Sequence, residues 1–438
     1  MPSMMNTDEW DLPRLKASIG FEDDFQYLSS DDQDTEFFDV KFYPYGDESH
    51  DPIFAAVSKK HVVIYRLCSN SNPPYELVQL FRDDDKEAMN CSCTWTKDPE
   101  TEAPYLCIAG RDAKVKVYDV IQGKLVKAFH NNGRYVLSAG HDNVVCMWTL
   151  PDLSTRPTDK NPPPPVVVHY PHFFTSEVHS GIVDCVAFFG DLVLSRACHE
   201  DIIVLWRIEG FSSDDAIPGP SSAPTTSDTE RLTRSAFSPA TSSQYTRLLQ
   251  FHTPGCGHQF YLRFKLFHQK DKNPVLAFGN AHSEIYFWDL ARLIGYHKFV
   301  TEMKESSDRV QPVSRPGWLQ PIKHRKQGDA VSKLKDASDR DSVVSGRTGS
   351  MDVETHGDLS TNYTQETLES WEGKYDMTKV EDAIKAHATS KLTIKDFVGR
   401  QVAWNSSGEW CVVVGSKNLA IILQRWDKKV KGEEKDKK

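Results

Sequence analysis

The chain has 438 residues, a formal net charge of −10 and 39% hydrophobic residues, enough for a large core diluted by polar insertions. A surface this acidic cannot neutralise phosphates, which excludes sequence-specific DNA or RNA binding as the main task and favours a basic partner. With no apolar run of about 18 residues and no apolar signal core at the start, a soluble intracellular protein without membrane contact is expected.

Residues 1–34 are acidic and weakly patterned, which reads as a flexible arm. Residues 36–42 then alternate apolar and polar, the period-two signature of a strand. Segments 53–57, 62–67 and 75–81 complete a first four-stranded unit, and 90–96, 105–109 and 115–120 make most of a second. An irregularity follows. Tyr118 and Trp148 are only 30 residues apart, against 53 between Tyr65 and Tyr118. Residues 124–129 suit an outer strand, yet five residues later 135–139 already reads as the second strand of a unit, leaving no room for an inner one.

A proline-rich loop at 157–165 leads to the clearest block, 183–206, with strands broken by turns at Gly190-Asp191 and at His199 to Asp201. Residues 211–247 are of low complexity and expected to be disordered. Strands are expected at 259–264, 275–278 and 284–290, then a polar, mostly disordered insertion at 302–377, whose basic cluster at 323–326 reads as solvated charge ahead of a nuclear-import patch. Residues 379–388 carry a helical pattern, strands at 401–404, 410–414 and 419–426 follow, and 428–438 is a charged tail.

Six of these segments are apolar runs closed by an aromatic residue, at Tyr65, Tyr118, Trp148, Trp206, Trp288 and Trp426. Tyr118-Asp119, Trp288-Asp289 and Trp426-Asp427 are the aromatic–aspartate pairs of WD repeats. Tight turns precede most of them, at Gly110 to Asp112, Gly140 to Asp142, His199 to Asp201 and Gly415 to Asn418, where Asp or Asn bonds its own turn and Gly supplies a positive φ. An antiparallel meander this small cannot bury its faces alone, so the units must stack: an all-β WD40 β-propeller over 35–427 is expected. Without the insertions ~279 residues remain, enough for six or seven blades of about 40–45 residues. A blade lacking its inner strand leaves an unpaired edge near 129–135, repaired unusually or marking a segment lost through a skipped exon or faulty gene model.

The nine cysteines occur singly, several at apolar strand positions, as expected of buried thiols in a reducing compartment. Neither Cys91-x-Cys93 nor Cys256-Gly-His258 has a second pair at zinc spacing, so no metal is expected. No catalytic motif stands out, and Asp, His and Ser at the turns read as blade hydrogen bonding, so neither catalysis nor a cofactor is expected. Aromatic pairs at inner-strand starts, Phe37-Phe38 and Phe260-Tyr261, are suited to enclose a methylated ammonium by cation–π attraction; periodicity alone favours core packing.

The 183–206 block, Cys93-Thr94-Trp95-Thr96, Phe260 to Lys265, Leu276 to Asn280 with Phe287 to Leu290, and Arg400-Gln401 together resemble the embryonic ectoderm development/extra sex combs family, the WD-repeat subunit of Polycomb repressive complex 2. The likeness covers most of 36–427 outside the insertions. It implies a seven-bladed, non-enzymatic nuclear scaffold that holds a SET-domain methyltransferase of the enhancer-of-zeste type beside a zinc-finger Polycomb subunit. It also implies a reader that binds trimethyl-lysine on the histone H3 tail and stimulates the enzyme. By position, Phe38, Phe260 and Tyr261 match three walls of the family's aromatic cage. Phe260 stands where relatives often have Trp, and Cys91, or alternatively Asn90, falls where the fourth wall is Tyr. Arg263, Arg400 and Asp184 match the pocket rim. The family has about one blade more than this chain, roughly 60 residues at the irregularity, which favours a lost segment. A generic WD40 adaptor, such as a ubiquitin-ligase substrate receptor, is the alternative.

Overall fold

The computed structural model describes residues 12–21, 36–46, 50–83, 89–97, 101–110, 115–120, 124–125, 135–149, 169–225, 232–237, 243–305, 313–322, 354–355 and 359–425. Trp426-Asp427, the 428–438 tail, the 323–326 cluster and the proline-rich loop lie outside them. Within them are six four-stranded antiparallel sheets, the blades expected from the repeats.

Blade 1 comprises Phe37–Phe42, Ile53–Ser58, His61–Leu67 and Tyr75–Arg82. Blade 2 comprises Asn90–Lys97, Pro104–Gly110, Val115–Asp119 and Lys124–Leu125. Blade 4 comprises Val183–Phe189, Leu192–Ala197, Ile202–Ile208 and Tyr245–His252, and blade 5 Lys265–Phe267, Val275–Gly279, Glu284–Asp289 and Ala388–Lys391. Blade 6 is built from Gly399–Trp404, Trp410–Gly415 and Leu419–Gln424, and its outer strand is Arg14–Gly20 from the other end of the chain. The stretch expected to be an arm therefore contains a strand that closes the fold. Its register slips between Leu15 and Ala17, Leu15 is 46% exposed and Ile19 is buried, as an edge strand largely open to solvent allows.

Blade 3 has Tyr135–Ala139 as its innermost strand, followed by Val145–Thr149 and Phe173–Thr175. Among the described residues no strand lies inside it, in line with the short spacing. A fourth strand, Thr233–Ser235, is added on the outside from the 211–247 insertion. That insertion is ordered where it is described: Phe211 packs edge-on against Phe237 at 5.1 Å and Tyr135 at 5.2 Å. Low complexity hid these two aromatics, which have a blade to bury against.

Neighbouring blades share buried apolar clusters, and these fix their order. Val40 and Val412 join blades 6 and 1, and Ile64 and Trp95 join blades 1 and 2. Val145 and Val204 join blades 3 and 4, Leu194 and Leu276 blades 4 and 5, and Ala277 and Val413 blades 5 and 6. None of these clusters spans blades 2 and 3, and Val136 on the facing side of blade 3 is exposed. Among the described residues, therefore, the blade 2–blade 3 junction is the one between neighbours without a shared buried cluster.

Two further expectations are corrected. Residues 379–388 form a turn and a bridge rather than a helix, because the backbone of Ile384 is taken by Gln250 and His252 and its carbonyl also accepts from Trp288. The helices lie nearby instead, at Leu290–Glu305 and Gln365–Tyr375, the second inside the insertion expected to be disordered. Thr364 caps the latter, and Trp371 and Tyr375, four residues apart, bury against Tyr296, Phe299 and Trp318.

Candidate functional site

The inner strands share one irregularity. Pairing with the second strand slips between Phe37 and Asp39, Asn90 and Ser92, Val183 and Cys185, and Gly399 and Gln401. Each slip is a one-residue bulge, which turns a side chain out of the ladder. The bulged residues are Phe38, Cys91, Asp184 and Arg400: four of the site residues expected from the sequence occupy one repeat-equivalent position. Glycine across the sheet accommodates the bulge in two blades. A Cβ on Gly415 would lie 1.8 Å from the Val398 carbonyl oxygen, and one on Gly110 2.5 Å from that of Met89.

Blade 5 breaks the pattern. The strand expected at 259–264 begins only at Lys265, and the preceding residues form a loop in which Tyr261 has φ +61°. Phe260 and Tyr261 are 42% and 49% exposed, too open for the core packing that periodicity favoured. Their rings meet edge-on at 4.9 Å, and the Arg263 guanidinium lies 5.9 Å from the Tyr261 ring centre.

Charged groups hold this loop from below and from the side. Arg196, fully buried, pairs with Asp184 at 2.5 Å and donates to the carbonyls of Leu262 and Gln259 at 3.4 and 3.5 Å. Asp184 in turn accepts from the Leu262 amide, and the Arg196 guanidinium lies 5.3 Å from the Phe278 ring centre. Burial lifts the Asp184 carboxyl above its ordinary pKa, with the guanidinium opposing. Arg400 donates to the Phe260 carbonyl at 2.9 Å and grips both carboxylate oxygens of Glu36, at 3.0 and 2.9 Å. Phe38, two residues beyond Glu36, is thereby tied to the Phe260–Tyr261 loop.

Cys91 is next round the axis: adjacent inner strands are tied by Ser92 and the Cys93 amide bonding the buried Asp39 carboxylate. Its partly buried thiol contacts the Met89 carbonyl and offers no π face on that side. Asp184, Phe260, Tyr261, Arg263 and Arg400 are brought into direct contact, with Phe38 joined through Glu36. Sequence reasoning missed Glu36, Arg196 and His141, whose ring stands 6.4 Å from that of Phe260. Arg196 had left a signal, a charge inside the apolar run Leu192–Ala197 that requires a buried partner.

A Ser–His–Glu arrangement elsewhere is structural. His179 bonds Ser195 at 2.7 Å and Glu200 at 2.5 Å, and the same Ser195 hydroxyl accepts from Trp206 at 2.9 Å. Ser195 is fully buried with its oxygen occupied on two sides, so no substrate can approach it. Burial would raise the Glu200 carboxyl, but bonds from His179 and Ser180 outweigh it and bring the pKa down to about 2.

The WD domain, G-beta repeat profile matches residues 125–149. The chain is 40% identical to Polycomb protein EED of Chaetomium thermophilum, over 96% of this chain and 97% of that protein. That alignment runs over 553 positions, more than this chain's 438 residues, so the relative carries residues without a counterpart here. Polycomb protein esc of Drosophila melanogaster is 23% identical over 58% of this chain and 69% of its own length. The crystal structure of the Chaetomium thermophilum polycomb repressive complex 2 contains a chain 41% identical, with a TM-score of 0.80 and coverage of 96% of this chain and 99% of that one. A chain of ctPRC2 in complex with H3K27me3 is 40% identical at TM-score 0.79, covering 95% of this chain and 98% of that one.

Proposed function

Because this chain belongs to the EED family of Polycomb WD-repeat proteins, we propose that it is the non-catalytic scaffold and histone-tail-reading subunit of a Polycomb-type histone H3 methyltransferase complex. The observation that supports this reading most directly is the link from Glu36, two residues before Phe38, through Arg400 to the carbonyl of Phe260, whose ring meets that of Tyr261. Exposed aromatic faces beside a desolvated rim attract a quaternary ammonium through the ring quadrupole, and neutral lysine analogues gain nothing from it. With Phe in place of Trp at 260 and a thiol at 91, the cage is weaker than one with four aromatic walls.

Its partners are the histone H3 tail, a SET-domain subunit of the enhancer-of-zeste type and a zinc-finger Polycomb subunit, in the nucleus. Occupation of the cage passes to the enzyme as a coupling free energy between two sites. A ubiquitin-ligase adaptor is not favoured by the similarity to Polycomb proteins EED and esc. The assay is calorimetry of the assembled complex with trimethylated and unmodified H3 peptides. Tyr261→Ala or Phe38→Ala weakens binding of the trimethylated peptide and leaves complex assembly intact. Equal affinity of the parent for both peptides removes the reader function.

A further inference from the structure

We propose that Arg400, acting with Glu36, is a positioning residue that sets the spacing between the two halves of the cage. The inference rests on the reader function above and concerns how that site is held open. The cage has no continuous backbone: Phe38 belongs to blade 1, Phe260 and Tyr261 to the loop before blade 5, and blade 6 stands between them. Arg400 is the bulged residue of blade 6, so its side chain leaves the ladder at the one level where it can reach both neighbours. Its Nε and Nη2 take the two oxygens of Glu36, and its Nη1 takes the Phe260 carbonyl.

The backbone joins in, since the Arg400 carbonyl accepts from the Arg263 amide at 3.0 Å, on the far side of Tyr261. Both ends of the Phe260–Arg263 loop are thus anchored to a single residue of the next blade. Tyr261 needs such anchoring, because its φ of +61° is a conformation that side chains with a Cβ rarely adopt. The ion pair is shielded, with side chains 15% and 17% exposed. A planar guanidinium fork serves three acceptors at fixed angles; a lysine ammonium on a flexible stem cannot hold the same geometry. Cation–π attraction depends on ring placement, so a shift of about an ångström in either half degrades recognition of the methylated group without touching a ring.

The test uses the assembled complex, fluorescence anisotropy with trimethylated and unmodified H3 peptides, and hydrogen exchange at the Tyr261 and Leu262 amides. Glu36→Ala and Arg400→Ala each weaken the trimethylated peptide by roughly ten-fold, the size of a lost hydrogen bond to a charged group, and leave the unmodified peptide unchanged. The double variant is no weaker than either single one, Arg400→Lys fails to rescue, and exchange at the two amides accelerates in every variant. If Arg400→Ala loses affinity while Glu36→Ala retains it, the arginine touches the peptide directly and the positioning role is overturned. Should the parent bind both peptides equally, the reader function fails; the clamp then stands or falls on the amide exchange, and unchanged exchange in Glu36→Ala overturns it.

Discussion

Replacing Arg196 by Met tests whether the buried ion pair beneath the loop holds the loop or merely fills space. Met keeps much of the stem volume and its contact with Phe278 but removes every donor. The remaining Asp184 side chain is 1% exposed, and its Oδ1 already has no hydrogen-bond partner. Stranding a buried carboxylate costs about 3–5 kcal/mol, and the carbonyls of Gln259 and Leu262 lose their donors as well. The loss takes a particular pH dependence. Without the guanidinium, burial raises the Asp184 pKa further, so the folded state binds a proton that the unfolded state releases. Stability is then restored as pH falls below the raised folded value and worst at neutral pH. Urea unfolding of Arg196→Met at pH 7 and pH 5 is the assay, with Arg196→Met/Asp184→Leu as the companion. The double variant recovers most of the loss and the pH dependence vanishes. A single-variant loss below about 1 kcal/mol, or a double variant no better than the single, refutes the reasoning.

Three further outcomes are expected. Glu200 has a folded pKa of about 2, below its unfolded value, so its contribution is full above about pH 4.5 and is lost as pH falls towards 2. Glu200→Gln therefore costs about 2 kcal/mol at pH 7, after discounting for its partial exposure, and flattens the acid limb of a denaturation profile. Burial, followed by the nearby Arg292, lowers the His387 pKa to about 3, so its stabilisation is present above about pH 6.5 and declines as pH falls below that. His387→Gln removes this earlier decline in thermal unfolding scans between pH 6.5 and 4.5. In the cage, Phe260→Trp and Cys91→Tyr each tighten the trimethylated H3 peptide by about three-fold to ten-fold in calorimetry, since each adds or enlarges a π face.

The blades were legible because their central strands are apolar on both faces: Ile203 and Val204, or Val413 and Val414, can lie only between packed sheets. Arg14–Gly20 was not, because an edge strand needs one apolar face only and its neighbours are acidic. The 259–264 stretch alternates like a strand, yet Phe260 and Tyr261 point outward from a loop that Arg196, Asp184 and Arg400 hold. What holds the site was the least legible part. Glu36 and Arg400 are 364 residues apart in sequence, and no periodicity links the two ends of a chain. The residues proposed to meet the ligand advertise themselves by chemistry. Those that position them are ordinary charges until the fold makes them neighbours.

The arrangement of the blades is compatible with the proposed reader surface even though blade 3 shows no strand inside Tyr135–Ala139 among the described residues. Phe38, Arg400 and the Phe260–Tyr261 loop span blades 1, 6 and 5, an arc whose junctions all carry buried clusters. Among the described residues, the junction without a shared cluster lies beyond blade 2, beside Cys91, the position proposed as the weakest wall of the cage. The same arc includes the place where the two ends of the chain meet, with Arg14–Gly20 completing the sheet of Gly399–Trp404. Pairing of Arg14–Gly20 with Leu419–Gln424 covers the open edge of blade 6 and so supports the sheet that carries Arg400.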